Sequence, residues 1–347
     1  VLHELHVVTR DPEAEQRALE RLAAWCYQYS SQVCIPGDRA GLLLEAGASR
    51  RLFGSPEKLA GRLQRELAQL GYHAPAGSAP TPESAWLAAG EYLHLEARGQ
   101  LRYQLGSLPL DRLQLDGSCI QAMERMGFRQ LRDLLRLPRK ALTRRFGPEL
   151  PDYLDRLLGI RPDPRKFYQP PESFASRLEL PAEIHAREAL LFPLKRLLGE
   201  LCGVLRGGDT AVQSVKLALG HEDHADSTLD LGLQSPTQDP ERLLDVLRER
   251  LERLRLPQAV RDIRLDAPEL LKFSAGQGSL FRDTPAEQRQ DIEQLAERLQ
   301  ARLAGADTTA LRHLKHPRPG SPRPIRELLV GRPRLPPRLL HRARCPR

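Results

Sequence analysis

The stretch AGLLLEAGASRRLFG, residues 40–54, decides how this chain is read. Leu42 to Leu44 is a short apolar run of the kind that forms a buried strand. Gly47, Ala48 and Ser49 interrupt it, and Leu52-Phe53-Gly54 closes the segment. By residue pattern alone it is a core strand entering a loop. Period-two alternation leaves Glu45 as a lone carboxylate on this run.

Around it the chain alternates helices and strands. Leu5 to Val8 reads as a strand. Asp11-Pro12 is an N-cap followed by proline at the first helical position, and Ala18, Leu19, Leu22, Trp25, Cys26 and Tyr29 then recur at helical spacing. Gln32 to Ile35 and Gly41 to Ala46 are strand candidates. Ser55-Pro56-Glu57 starts a second helix with Leu59, Leu63, Leu67 and Leu70 on one face and Gly71 as its stop. This pattern predicts a layered α/β unit. The chain opens on Val1 and runs at once into a strand, so we expect the natural protein to begin earlier.

From Leu108 to Ile160 the sequence is leucine-rich and helical with short turns. One helix follows Asp116-Gly117 and ends at Met126-Gly127, and another spans Leu131 to Leu137. Asp163 to Glu172, DPRKFYQPPE, is a proline-rich linker. Beyond it, Leu178 and Leu180 mark a strand, Ala189 to Leu205 a helix, and Val215, Leu217, Leu219 and then Leu229, Leu231, Leu233 two more strands. Asp239-Pro240 caps a helix carrying Leu243, Leu244, Leu247, Leu251 and Leu254, and Ile263 and Leu265 close the set. The order is βαββαβ, a split βαβ sheet with two helices on one face. Ile292, Leu295, Leu299 and Leu303 mark one more amphipathic helix within residues 285–304, and from Lys315 the chain is a basic Pro/Arg-rich tail.

Composition narrows the function. The chain has 347 residues, 40% of them hydrophobic, and a net charge of +8, which favours a polyanionic partner. No apolar run is long enough to span a membrane. The five cysteines match no zinc or disulfide framework, as in a reducing cytoplasm. We find no phosphate-binding glycine loop, nucleophile elbow or Ser-His-Asp arrangement. His221-Glu222-Asp223-His224 with Asp226 resembles a metal cluster, but it lies between two strands and reads as a solvated hairpin loop. Trp25, Trp86, Tyr27 and Tyr29 sit in apolar patterns and read as core, not as base-stacking platforms.

The opening stretch also resembles the palm of Y-family translesion DNA polymerases, S-I-D-E-A-F-L-D-V-T-G-S-x-x-L-F-G. The match runs through Leu44, Glu45, Gly47 or Ala48, Ser49, Leu52, Phe53 and Gly54. The family's catalytic Asp-Glu pair falls on Ala40 and Gly41. Residues 79–86 sit where the family carries A-P-N-K-x-x-A-K: Ala79, Pro80 and Ala85 fit, while the two lysines fall on Pro82 and Trp86. Residues 108–137 resemble the helix-hairpin-helix of the thumb, with Gly117 the surviving glycine; ordinary glycine stops in a small bundle are the plain alternative. The βαββαβ segment resembles the little-finger domain. Gln277-Gly278-Ser279-Leu280-Phe281 is similar to the bacterial sliding-clamp peptide Q-x-[S/L]-L-F, where Gln277 would set register and Leu280 and Phe281 would fill an apolar pocket. The alternative is a local anchor packing back on the domain.

The fold expected is therefore α+β and multidomain: a partial palm over residues 1–104, a helical helix-hairpin-helix thumb over 105–162, a linker at 163–174, and a βαββαβ little finger over 175–270. A clamp-binding segment at 271–284, a helix at 285–305 and the tail at 306–347 follow. A palm without its carboxylates beside a clamp motif resembles the ImuB proteins of bacterial damage-induced mutagenesis. That resemblance implies a cytoplasmic, nucleoid-associated, non-catalytic hub in the SOS response with no cofactor. Its partners would be DNA, the sliding clamp (the beta subunit of DNA polymerase III), a RecA-like ImuA-type protein and an error-prone replicative-type polymerase. Gly117, Arg144, Arg145, Lys195, Arg196 and Lys216 are the expected DNA-contacting residues. Two alternatives stand beside it: an active Y-family polymerase with its carboxylates in another register, for which residues 30–50 offer only Asp38 and Glu45, and a general helix-hairpin-helix DNA-binding protein.

Overall fold

In the computed structural model, which describes residues 11–37 and 39–273, Asp11 begins the first helix as expected. Its carboxylate accepts hydrogen bonds from the Glu13 and Ala14 amides, each at 3.0 Å. A cap of this kind contributes about 1 kcal/mol. Helix α1 (Pro12–Cys26) leads to β1 (Val33–Cys34), which pairs antiparallel with β2 (Leu43–Leu44). Both strands are shorter than the pattern predicts. The chain turns at residues 47–49 into a short helix, α2 (Arg50–Phe53), where a loop was expected. Ser55 then caps α3 (Pro56–Gln69). Trp25, Tyr29 and Phe53 stack in series with ring centroids 5.4 Å apart, tying α1 to α2.

The helical module follows: α4 (Pro82–Gly90), α5 (Leu101–Gln104), α6 (Gly117–Arg125), α7 (Leu131–Leu135), α8 (Arg139–Phe146) and α9 (Glu149–Leu157). The βαββαβ unit is then laid out as its alternation predicts: β3 (Phe174–Ile184), α10 (Leu191–Gly207), β4 (Thr210–Gly220), β5 (Ser227–Thr237), α11 (Pro240–Leu251) and β6 (Val260–Ala267). The strand order is β3-β6-β4-β5 with every neighbour antiparallel, so β3 and β4 run parallel with β6 inserted between them. A further strand that the sequence did not reveal, β7 (Leu271–Lys272), pairs with the start of β4. Val215, Leu217, Leu219, Leu231, Ile263 and Leu265 are buried on the helix side, while Ser214, Lys216, Asp230 and Gly232 face out on the open side.

Two buried cores organise these elements. The first core joins α1, β1 and α3 to the βαββαβ sheet and its helices. The second holds Leu87 and Ala88 of α4 and Leu95 together with the leucines of α5 to α9. By burial, then, the helical cluster reaches back to about residue 79, ahead of the expected boundary at 105, with α4 packed on α9 and also touching β2.

Helix α10 lies between the sheet and α1. Its outer face carries Gly199, Gly203 and Gly207 at four-residue spacing, one row along the helix. A Cβ on Gly203 would stand 1.9 Å from Cδ1 of Trp25, and one on Gly207 2.7 Å from Cβ of Tyr27. Gly203 and Gly207 are the groove that receives the end of α1, while Gly199 faces Leu70 beyond α3. The linker is held along the same surface: the Tyr168 amide donates to the Val33 carbonyl at 2.7 Å, and the Tyr27 hydroxyl donates to the Tyr168 carbonyl. Among the described residues no helix is long and apolar enough to cross a membrane. The expected strand at Leu5 to Val8, Asp38, the segment Gln277, Ser279, Leu280 and Phe281, the helix at 285–305, the tail and Cys345 lie outside the described residues.

Candidate functional site

The loop between β1 and β2 carries Arg39, Ala40 and Gly41, and the first turn of α4 approaches it from the helical module. A Cβ on Gly41 would stand 2.7 Å from Cη2 of Trp86, and the Arg39 guanidinium lies 5.2 Å from the Trp86 ring centroid. Thus Gly41 and Trp86, on which the sequence resemblance places a palm carboxylate and a palm lysine, are in contact. The residues present do not fit a divalent metal. Ala40 and Gly41 have no side-chain oxygen, and hard cations need several oxygen ligands. Glu45 is occupied locally, since its carboxylate accepts from the Gly47 amide at 2.7 Å and the Ala48 amide at 3.1 Å. Trp86 is half-buried, so its assignment to the core holds in part.

Beside this contact lies a buried ion cluster. Arg39 donates to both oxygens of Glu83, at 2.9 and 3.1 Å, and Arg165 of the linker donates to Glu83 at 2.6 Å and also bonds Asp163. The Arg39 and Glu83 side chains are only 6% and 4% exposed. Removing one partner of such a pair strands a charge, whereas the complete cluster satisfies it. The cluster ties the palm-like loop, α4 and the linker together, and it forms one wall of a cleft of about 490 Å³. Tyr153 of α9 forms part of the opposite side, and burial, with the Glu83 charge adding, pushes its phenol up to about 12.

The expected DNA-contacting residues do not share one surface. Gly117 is the first residue of α6 with open space about it. The amide that such a turn would offer to a phosphate is already engaged, because the Ser118 amide donates to Asp116 at 3.2 Å. The Ser118 hydroxyl, helped by the Ser118, Cys119 and Gly117 amides, holds the Asp116 carboxyl below the usual range. Arg144 and Arg145 are exposed in the last turn of α8. Lys195 is exposed on α10. Arg196 is committed within the fold, 5.1 Å from the Tyr72 ring centroid and 3.8 Å from Glu200. Lys216 lies on the opposite, open face of the sheet, directly between Asp230 and Asp266. That face is charge-balanced, with Arg177 and Arg264 both bonded to Asp262 at 3.0 and 3.1 Å.

Further exposed cations precede Arg144 and Arg145 in the chain. Arg125, Arg129, Arg132, Arg136 and Lys140 are exposed with Arg144 and Arg145 along α6 to α8. Arg139, in the same run, is held by Asp152 at 2.6 Å and by Asp155. The signal was present as a run of cations across residues 125–145 against a single acid, Asp133. Asp133 is itself used as a cap, accepting from the Arg129 and Gln130 amides at 3.0 Å. The 221–226 loop is a hairpin connection, and both ring nitrogens of His221 are engaged, with the Ala259 carbonyl and the Ser227 hydroxyl.

These features coincide with known proteins. Residues 171–280, which include the βαββαβ unit, match the model of the impB/mucB/samB family C-terminal domain. Over most of its length the chain is similar to Protein ImuB from Caulobacter vibrioides: 27% identical over 302 residues in strain NA1000 / CB15N, and the same in strain ATCC 19089 / CIP 103742 / CB 15. The match covers 86% of this chain and 66% of those relatives. Among solved structures it is similar to DinB from Sulfolobus solfataricus, at 15% identity and a TM-score of 0.39, covering 77% of this chain and 80% of that one.

Proposed function

We propose that this chain is a non-catalytic, Y-family polymerase-like hub in bacterial DNA damage tolerance. It would grip the DNA backbone through the cations of α6 to α8 and the sliding clamp through Gln277, Ser279, Leu280 and Phe281, and it would bring an error-prone polymerase and a RecA-like ImuA-type protein to damaged DNA. The observation that carries this reading is the Gly41–Trp86 contact at the palm centre. Nucleotidyl transfer through two metal ions needs carboxylates that hold both ions and stabilise the leaving pyrophosphate. Glycine and indole supply neither a ligand nor a charge. The exposed guanidiniums support backbone contact, which needs cations and no base-edge geometry.

The test is binding of the purified chain to the sliding clamp, wild type against the triple variant Gln277→Ala/Leu280→Ala/Phe281→Ala, run beside primer extension with Mg²⁺. The reading expects micromolar-class clamp binding that the variant loses, and no extension by either protein. Equal binding by both proteins, or none by either, removes the clamp from the reading. Extension by the wild-type chain overturns the non-catalytic part.

A further inference from the structure

We infer that the cleft between the Arg39–Glu83–Arg165 cluster and α9 is a phosphate-binding site, sized for a nucleotide. Its volume, about 490 Å³, lies in the range of small-molecule sites. Its lining is chiefly polar, with four guanidiniums, those of Arg39, Arg156, Arg161 and Arg165, against the carboxylates of Glu83 and Asp163. The carboxylates do not consume all of that charge. Glu83 and Asp163 engage Arg39 and Arg165, and Arg161 is held at 2.5 Å by Asp152. Arg156 has no ion-pair partner among the described residues. Beside it stands Tyr153, whose hydroxyl accepts weakly from the Gln114 amide at 3.5 Å and keeps its own proton to donate. A guanidinium fork with a neutral phenol donor is the chemistry that receives a phosphate oxygen pair. Because Glu83 fixes two of the arginines in place, little ordering is left to cost binding energy.

The phosphate could be that of a free nucleotide or of a DNA strand. The second source rests on the DNA-binding reading above, and the first does not. The experiment titrates dATP and, separately, fluorescein-labelled single-stranded DNA into the full chain and into Arg156→Gln. Arg156→Lys serves in its place if the glutamine variant does not fold. Losing one charged hydrogen-bond donor should weaken dATP about tenfold. If DNA is the source, saturating dATP should also lower DNA affinity in wild type and not in the variant. Binding of dATP without any DNA binding leaves this site standing and removes DNA from the proposed function. Weakening of DNA alone by the variant assigns the site to strand phosphate. Equal dATP affinity in wild type and variant together with equal DNA affinity, or no dATP binding together with unchanged DNA affinity, overturns the inference.

Discussion

Replacing Gly203 with alanine tests the seating of α1 on α10 against the ordinary behaviour of helices. In an exposed helix interior, glycine to alanine stabilises by roughly 1 kcal/mol. At Gly203 the new methyl would stand 1.9 Å from Cδ1 and 2.0 Å from Nε1 of Trp25, an indole only 3% exposed. The ring cannot yield without moving Tyr29, which it touches, so overpacking of about 1–3 kcal/mol applies. We expect a net loss of about 1 kcal/mol in urea unfolding, or roughly 1–2 °C in Tm for a chain of this size. Gly61 in α3 is the control, because a Cβ there meets nothing nearer than Arg65 Nη1 at 3.7 Å, and Gly61→Ala should gain stability. In a Trp25→Ala background, which itself costs about 3–5 kcal/mol, Gly203→Ala should become neutral or favourable. If Gly203→Ala is as stable as wild type while Gly61→Ala behaves as stated, α1 does not sit in the glycine groove and the first core is wrongly drawn.

Three further outcomes follow from the structure. Glu83→Gln removes the carboxylate shared by Arg39 and Arg165 and should cost about 3–5 kcal/mol by chemical denaturation; a loss below about 0.5 kcal/mol would mean that the cluster is not buried as described. Arg144→Ala/Arg145→Ala should weaken DNA binding alike for all sequences and reduce the slope of log K against log salt by about 2; an unchanged slope removes these two residues from the interface. Burial raises the Glu200 carboxyl above its ordinary 4.5, despite hydrogen bonds from Ser176 and Tyr72. The unfolded chain therefore ionises this group first, and its contribution to stability, complete below pH 4.5, is lost as pH rises through the folded value. Glu200→Gln should lack that fall, and parallel pH–stability curves for the two proteins would refute the assignment.

The parts of the fold legible in the sequence were those written as local pattern. Asp11, Ser55 and Asp239 each precede a proline, and all three cap helices. Period-two alternation in β4 and β5 gave the sheet because a slip of one residue would expose Val215, Leu217 and Leu219. Hidden from it was whatever depends on distant partners. Arg39 and Glu83 lie 44 positions apart, and Glu83 and Arg165 lie 82 apart, so no spacing rule joins them. Leu87 and Ala88 carry the same apolar signal whichever core receives them, so the sequence could not assign α4 to a core. Two-residue strands such as β7 are too short to show a period at all. At the candidate site, the resemblance singled out Gly41 and Trp86, but only the fold shows that they touch.

One consequence of β7 concerns reach. The Phe273 amide donates to the Asp209 carbonyl at 2.8 Å, so the chain leaves the βαββαβ unit at the corner between α10 and β4. Only residues 274–276 separate that corner from Gln277, a contour of roughly 14 Å at full extension. A protein gripping residues 277–281 would hang on a leash shorter than a typical domain's width. It would be held within that reach of one fixed corner of the βαββαβ unit, whatever its orientation.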